Sequence, residues 1–210
     1  LLPTLPFVYI LTASAIKKWA TLNMPAAPER SFFKTVVSWL KTAFAYSLKH
    51  VLVLALLAWF FTETVFAAPY FLSYFNELGG GPWNGYRYVT DSNYDWGQDM
   101  LRLKQFVAAH PEIDKIAVDY FGGGNPKYYL GNKVENWWSA RGNPANQGIH
   151  WLAVSVNTLE SAIQPMAPGK QRNPEDEYRW LTELRPPKPG LGNVSEPDFR
   201  AGTSIFIYKL

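Results

Sequence analysis

The chain has 210 residues, no cysteine and a formal charge of +3. This excludes a disulfide framework, a thiol nucleophile and any cysteine-based metal site, and leaves room for two membrane segments plus one domain of ordinary size. Residues 1–68 carry six Lys/Arg against two Asp/Glu, and residues 69–210 fourteen against fifteen, so the part able to form a domain lacks the basic surplus that a nucleic-acid partner requires.

The chain opens inside an apolar run, LLPTLPFVYILTASAI. It has neither a basic leader nor a small-residue cleavage site, so it reads as a truncated transmembrane helix over residues 1–16 and not as a signal peptide. Residues 17–49 follow as a cytoplasmic loop and an amphipathic helix. Within 31–49, Ser31, Lys34, Thr35, Ser38, Lys41, Thr42 and Lys49 fall on one stripe, and Phe32, Phe33, Val36, Val37, Trp39, Leu40, Phe44 and Tyr46 fill the rest. That pattern fits a helix lying in the inner headgroup layer or packing against further membrane helices.

Residues 50–68 are read as a full transmembrane helix. VLVLALLAWFFTETVFAA (51–68) holds one charge, Glu63, and no Gly or Pro. In a helix it spans about 27 Å, close to the hydrocarbon thickness of a bilayer, and it is apolar all round instead of on one stripe. Glu63 is either a functional group within the span or a residue at the outer headgroups. Lys17, Lys18, Arg30 and Lys49 flank the two apolar runs on their shared side, so the positive-inside rule puts that loop in the cytoplasm and residues 69–210 outside.

The remainder reads as an extracytoplasmic α/β domain, giving an overall class of α-helical transmembrane segments plus a C-terminal α/β domain. Tyr70, Phe71, Tyr74, Phe75, Trp83 and Tyr86 form an aromatic belt at the membrane exit, and Gly79–Gly81 with Pro82 stops any helix. Strands are predicted at 86–90, 115–121, 150–156 and 203–210, and helices at 97–110 and 173–184. Alternation of the two types points to a small α/β sheet.

The densest polar set is DSNYDWGQD, with Asp91, Asn93, Asp95, Trp96, Gln98 and Asp99 between a predicted strand and helix, where α/β sheets bind ligands. Three readings remain open. Asp95 and Gln98 have capping-box spacing, with Asp91 and Asn93 shaping the turn. Asp91, Asn93, Asp95 and Asp99 resemble the start of a calcium loop, though Gly97 is one place late and Arg102 stands where a bidentate Glu belongs. The carboxylates and amides beside Trp96 also suit a polar ligand such as a sugar.

Other signals are weaker. Gly122–Gly124 lacks either phosphate-loop pattern and reads as a turn. Trp137 and Trp138 have the chemistry to stack on a sugar ring, against the commoner core or lipid-facing roles. The three histidines are scattered, with no ligand spacing among them. Asn193-Val194-Ser195 is a glycosylation sequon.

Four phrases in order, LLPTLPFVYILTA, PYFLSYFNELGGGPWNGYRYVTDSNYDWGQDMLRLKQF, YFGGGNPKYYLG and SIFIYKL, resemble the C-terminal part of bacterial polytopic glycosyltransferases of the GT-C type. These are similar to the dolichyl-phosphate-mannose–protein mannosyltransferase and ArnT-like enzymes. The resemblance implies a polyprenyl-phosphate-linked sugar donor, membrane lipid around the spans, transfer on the outer face, and partnership with an N-terminal transmembrane region. The family's catalytic acid lies in a first outward loop that this chain does not contain, so no catalytic residue is assigned and the fragment alone is expected to be inactive. No cofactor is implied for it, and a divalent metal has no support beyond the partial calcium-loop match. The alternative is a membrane-tethered extracytoplasmic binding or assembly module without enzymatic activity.

Overall fold

A computed structural model of the chain describes residues 5–21, 32–90, 94–166, 168–169, 171–188 and 194–210. Asp91 and Asn93 of the predicted site, most of the linker after α1 (Leu5–Ala20), and Asn193 of the sequon lie outside the described residues. The chain divides into two compact units, Leu1–Phe66 and Ala67–Leu210.

The first unit is helical. α1 has 16 residues, and α2 (Phe32–Ala67) has 36, about 54 Å of helix. The predicted interfacial helix and the predicted span are one unbroken element, because no Gly or Pro falls between Phe32 and Ala67 to interrupt it. α2 is long and apolar enough to cross a membrane, and its apolar window is almost wholly unburied. Its hydroxyl groups turn inward on their own backbone: Thr42, Thr62 and Thr64 donate to the carbonyls of Ser38, Ala58 and Phe60 at 3.0, 2.8 and 2.9 Å. A helix in hydrocarbon needs that internal satisfaction of polar groups. Lys49 bridges the two helices. Its Nζ donates to the carbonyl of Trp19 at 2.8 Å and lies 5.3 Å from the Trp19 ring centroid.

The second unit is built on a mixed five-stranded sheet. Its elements are α3 (Gly81–Asn84), α4 (Met100–Ala109), β1 (Ile116–Asp119), α5 (Pro126–Leu130), β2 (Val134–Asn136), β3 (Trp151–Ser155), α6 (Val156–Ile163), α7 (Arg179–Leu184), β4 (Phe199–Ala201) and β5 (Ile205–Lys209). The strand order is β2-β1-β3-β5-β4. β1 runs parallel to β2 and β3, with Ile116 opposite Val134 and Ala117 opposite Leu152, whereas β5 runs antiparallel to β3 and β4, with Ala153 opposite Ile207.

Alternation along the strands makes two cores. Ile116, Val118, Trp151, Ala153, Ile205 and Ile207 face α4 and α5, where Met100, Leu103, Val107 and Leu130 meet them. Ala117, Leu152, Val154, Phe206 and Tyr208 face the other way, onto Leu159 of α6 and Leu181 of α7. β3 is central and buried along its whole length, which is why it reads in the sequence as a continuous apolar run instead of an alternating one.

Several predicted elements move. Residues 86–90 form no strand. Gly85–Arg87 is a 3-10 turn, and Gly85 packs so closely on Phe75 that a Cβ there would sit 2.1 Å from the ring. This turn drives Tyr86 into the core, edge-on to Phe206 at 5.2 Å. Tyr86 and Phe75 therefore leave the predicted aromatic belt for the core, while Phe71, Tyr74 and Trp83 stay exposed. The predicted helix over 97–110 begins only at Met100. That over 173–184 is split at Tyr178 into a 3-10 turn, Pro174–Glu177, and α7. β2 and β4, three residues each, were too short to give a period and pair only through the sheet.

Candidate functional site

Residues 94–99 form a brace. Asp99 is fully buried. Its Oδ2 accepts the backbone N–H groups of Thr203 and Ser204, both at 2.8 Å, and its Oδ1 is paired with Arg102. The guanidinium of Arg102 in turn covers the ring of Tyr70 at 4.7 Å. Thr203 is held a second time by Ser73, hydroxyl to hydroxyl at 2.7 Å, and Tyr94 places its hydroxyl 3.2 Å from the Thr203 carbonyl and 2.7 Å from that of Pro82. One carboxylate thus ties the start of α4 to the turn between β4 and β5, a geometry that only tertiary folding creates.

Asp95, also fully buried, braces a different corner. Its Oδ1 accepts the N–H of Gly97 at 2.8 Å, an Asx turn. The backbone N–H of Asn157, in the first turn of α6, and the hydroxyl of Ser204 also favour the ionised carboxyl. Burial outweighs all three and pushes its pKa up to about 6. The side-chain oxygens Asp95 Oδ2 and Ser204 Oγ make no well-directed hydrogen bond among the described residues. The predicted capping box does not form. Gln98 folds back instead, its Oε1 accepting from Trp96 N at 2.8 Å and its Nε2 donating to Tyr94 O at 3.1 Å.

Of the predicted ligand-contact residues, Trp96 is open to solvent (61%) and Gln98 is half-buried, whereas Asp95 and Asp99 are fully buried. Among the described residues no group of three or more His, Asp or Glu could hold a metal ion.

The segment presses on the carboxyl end of β1. Gly97 (φ +73°) lies so near that an added Cβ would be 2.3 Å from the Tyr120 hydroxyl, which donates to the Gly97 carbonyl at 2.7 Å. Gly122 (φ +141°) meets it from the other side, with room for a Cβ only 2.8 Å from Gly97 Cα. Gly122–Gly124 is thus a packing turn and not a phosphate cradle. Phe121 N donates to Ser155 Oγ at 2.9 Å, joining the ends of β1 and β3.

Beyond those strand ends lies a cleft of about 560 Å³. The chain leaves β1 toward β2 on one side, and β3 lies on the other, so the cleft occupies the topological switch point where open α/β sheets take their ligands. Asp119, the last residue of β1, lines it, with Asn157 and Thr158 of α6, Trp138 and Tyr178. Tyr178 has φ +51°, a left-handed conformation rare for a bulky side chain. Two bonds hold it there: its N–H to Ser139 Oγ at 2.8 Å and its hydroxyl to Asp119 Oδ2 at 2.6 Å. Burial pushes the Asp119 carboxyl up despite that donor, and burial beside Asp119 pushes the Tyr178 phenol up as well.

The tryptophan pair divides. Trp137 is buried and donates to Gly142 O at 2.9 Å, whereas Trp138 is half exposed over the cleft (52%). Arg172 also lines the cleft and donates to the carbonyls of Ala162 at 2.5 Å and Gln164 at 3.3 Å. The sequence reading missed Asp119, Asn157 and Tyr178. The only signal was Asp119 at a strand's carboxyl end, since Tyr178 is 59 residues away in the chain.

Fold and site together define a class: an α/β domain with a switch-point cleft, preceded in the chain by one long apolar helix. Comparison of the chain with protein-family models, with curated proteins and with solved structures found no match.

Proposed function

We propose that the chain is the C-terminal section of an integral membrane glycosyltransferase that uses a polyprenyl-phosphate-linked sugar. In this reading α2 crosses the cell membrane and residues 69–210 form an extracytoplasmic domain beside the transfer site. The observation that carries it is the 36-residue apolar helix followed directly by an α/β unit, joined to the four family-like phrases from residue 1 to residue 210. The basic residues before Val51 favour the cytoplasmic side and so send the C-terminus outward. The catalytic acid belongs to a preceding membrane region, and this section shapes the outer cavity or holds the acceptor.

Two measurements test the proposal. A reporter fused after Leu210 is expected to be active only outside the cytoplasm; a cytoplasmic signal overturns the topology. The full-length protein encoded with this section is expected to transfer sugar from a polyprenyl-phosphate donor, and to lose transfer when residues 69–210 are deleted while its spans still insert. Persistent transfer after the deletion would assign the domain to tethering or assembly instead.

A further inference from the structure

The geometry points to a binding site for a neutral saccharide in the cleft at the carboxyl ends of β1 and β3, with Asp119, Asn157, Thr158 and Ser161 taking its hydroxyls and Trp138 its ring face. This deepens the transferase reading by naming what the outer domain holds, and it rests on that reading only for where the sugar comes from.

The chemistry of the lining selects the ligand. Asp119 engages one oxygen with Tyr178, and among the described residues nothing donates to the other, so an acceptor is left at the bottom of the strand. Thr158 and Ser161, one helical turn apart on α6, add hydroxyls that both donate and accept. Asp176 adds a second carboxylate. Among the described residues of the lining, Arg172 donates to backbone carbonyls. Asp119 and Asp176 with the guanidinium of Arg172 so engaged favour a neutral ligand over a phosphate or carboxylate, and carboxylates with hydroxyls match the many O–H groups of a sugar.

Trp138 supplies the second half of such a site. Its ring is half exposed, and the guanidinium of Arg141 lies 5.2 Å from its centroid. An exposed aromatic face beside a few placed polar groups is an arrangement that binds a small polar ring. Residues 94–99 stand behind this wall: the Asn157 N–H favours the ionised Asp95 carboxyl, and Gly97 and Gly122 close on Tyr120. The left-handed backbone at Tyr178 is the cost of aiming its phenol at Asp119, and strain of this kind collects at binding sites.

The test uses the full 210-residue chain in detergent micelles, with the methyl glycosides of mannose, glucose and galactose as probes and saturation-transfer NMR as the readout. Ring protons of at least one glycoside are expected to saturate. Trp138→Ala, whose half-exposed side chain can be removed without opening the core, is expected to weaken that binding about tenfold; Asp119→Asn, which keeps an acceptor for the Tyr178 hydroxyl, is expected to weaken it without lowering the melting temperature. Inorganic phosphate and glucose 6-phosphate serve as anionic probes. Absence of saturation for all three glycosides, binding that Trp138→Ala leaves intact, or phosphate binding tighter than any glycoside would each overturn the assignment. Glycoside binding together with a cytoplasmic C-terminus would retain the cleft and remove the transferase reading; an outward C-terminus without glycoside binding would do the reverse.

Discussion

Asp99 Oδ2 accepts the backbone N–H of Thr203 at 2.8 Å across 104 residues of chain. The same oxygen takes Ser204 N, and the paired Arg102 neutralises the carboxylate. Asp99→Ala would strand two buried amides and a cation, so we expect a loss of about 3–5 kcal/mol, read by denaturant unfolding of the chain in mild detergent. Asp99→Asn keeps one acceptor and should lose less. Equal stability of the alanine variant and the wild type would remove Asp99 from its bracing role.

Gly202 shares that corner, with φ +63° and space for a Cβ only 2.1 Å from Asp99 Oδ1. Gly97 is as constrained at the cleft, where a Cβ would meet the Phe121 carbonyl at 2.8 Å as well as the Tyr120 hydroxyl. Alanine at either position combines backbone strain with overlap, and a cost of about 2 kcal/mol or more is expected in thermal unfolding. Alanine at Gly123, where a Cβ meets nothing within 4 Å, is the control and should be nearly neutral.

Asp95 makes stability depend on pH. Its carboxyl is raised from 3.8 in the free residue to about 6 in the fold. Between those values the native protein holds a proton that the unfolded chain has released, so stability falls as pH rises from about 4 to about 6 and stays lower above that. The displacement corresponds to about 3 kcal/mol. Asp95→Asn keeps an acceptor for Gly97 N and offers a donor to the Ser204 hydroxyl. It should therefore be more stable than wild type at pH 7.5, and the difference between the two should vanish below pH 4. Asp119 and Glu160, also raised by burial, contribute equally to both proteins and cancel. A pH-independent difference would show that Asp95 does not titrate in this window.

Tyr178→Phe removes the hydroxyl that lowers the Asp119 pKa. The Asp119 carboxyl is expected to titrate at higher pH in the variant, measured by its side-chain carbon shift. An unchanged midpoint would mean that the phenol and carboxylate do not share a proton bond in solution.

α2 carries its apolar window unburied. Leu57→Arg, in the middle of that window, should cost about 2.5–3.5 kcal/mol in a translocon insertion assay. Loss of less than about 1 kcal/mol would argue that this stretch does not enter lipid.

Much of the architecture is legible in the residues. The apolar helix follows from composition alone, because eighteen residues without Gly, Pro or a second charge have no other low-energy conformation in hydrocarbon. β1, β3 and β5 are legible because central strands are continuous apolar runs, and α4 because its Met100, Leu103 and Val107 keep helical spacing on the buried face. Tyr86 reads as the start of a strand because the β-formers Tyr88, Val89 and Thr90 follow it; Gly85 closing on Phe75 turns it into the core instead.

The candidate site divides along the same line. Asp95, Gln98 and Asp99 announce themselves as an unusual polar cluster, and local rules make them a cap or a ligand loop. The partners of Asp95 and Asp99, namely Asn157, Thr203 and Ser204, lie 62 to 109 residues away, and no local rule reaches that far. Composition, apolar run length and charge placement therefore determined the long helix, the α/β class and the importance of DSNYDWGQD, since each depends on neighbours in the chain. Only the tertiary structure decided that Asp95 and Asp99 brace the fold and that the open cleft belongs to Asp119, Trp138 and Tyr178. Burial and pairing of polar groups are properties of what surrounds them in space, and the sheet order that brings these residues together leaves no local mark.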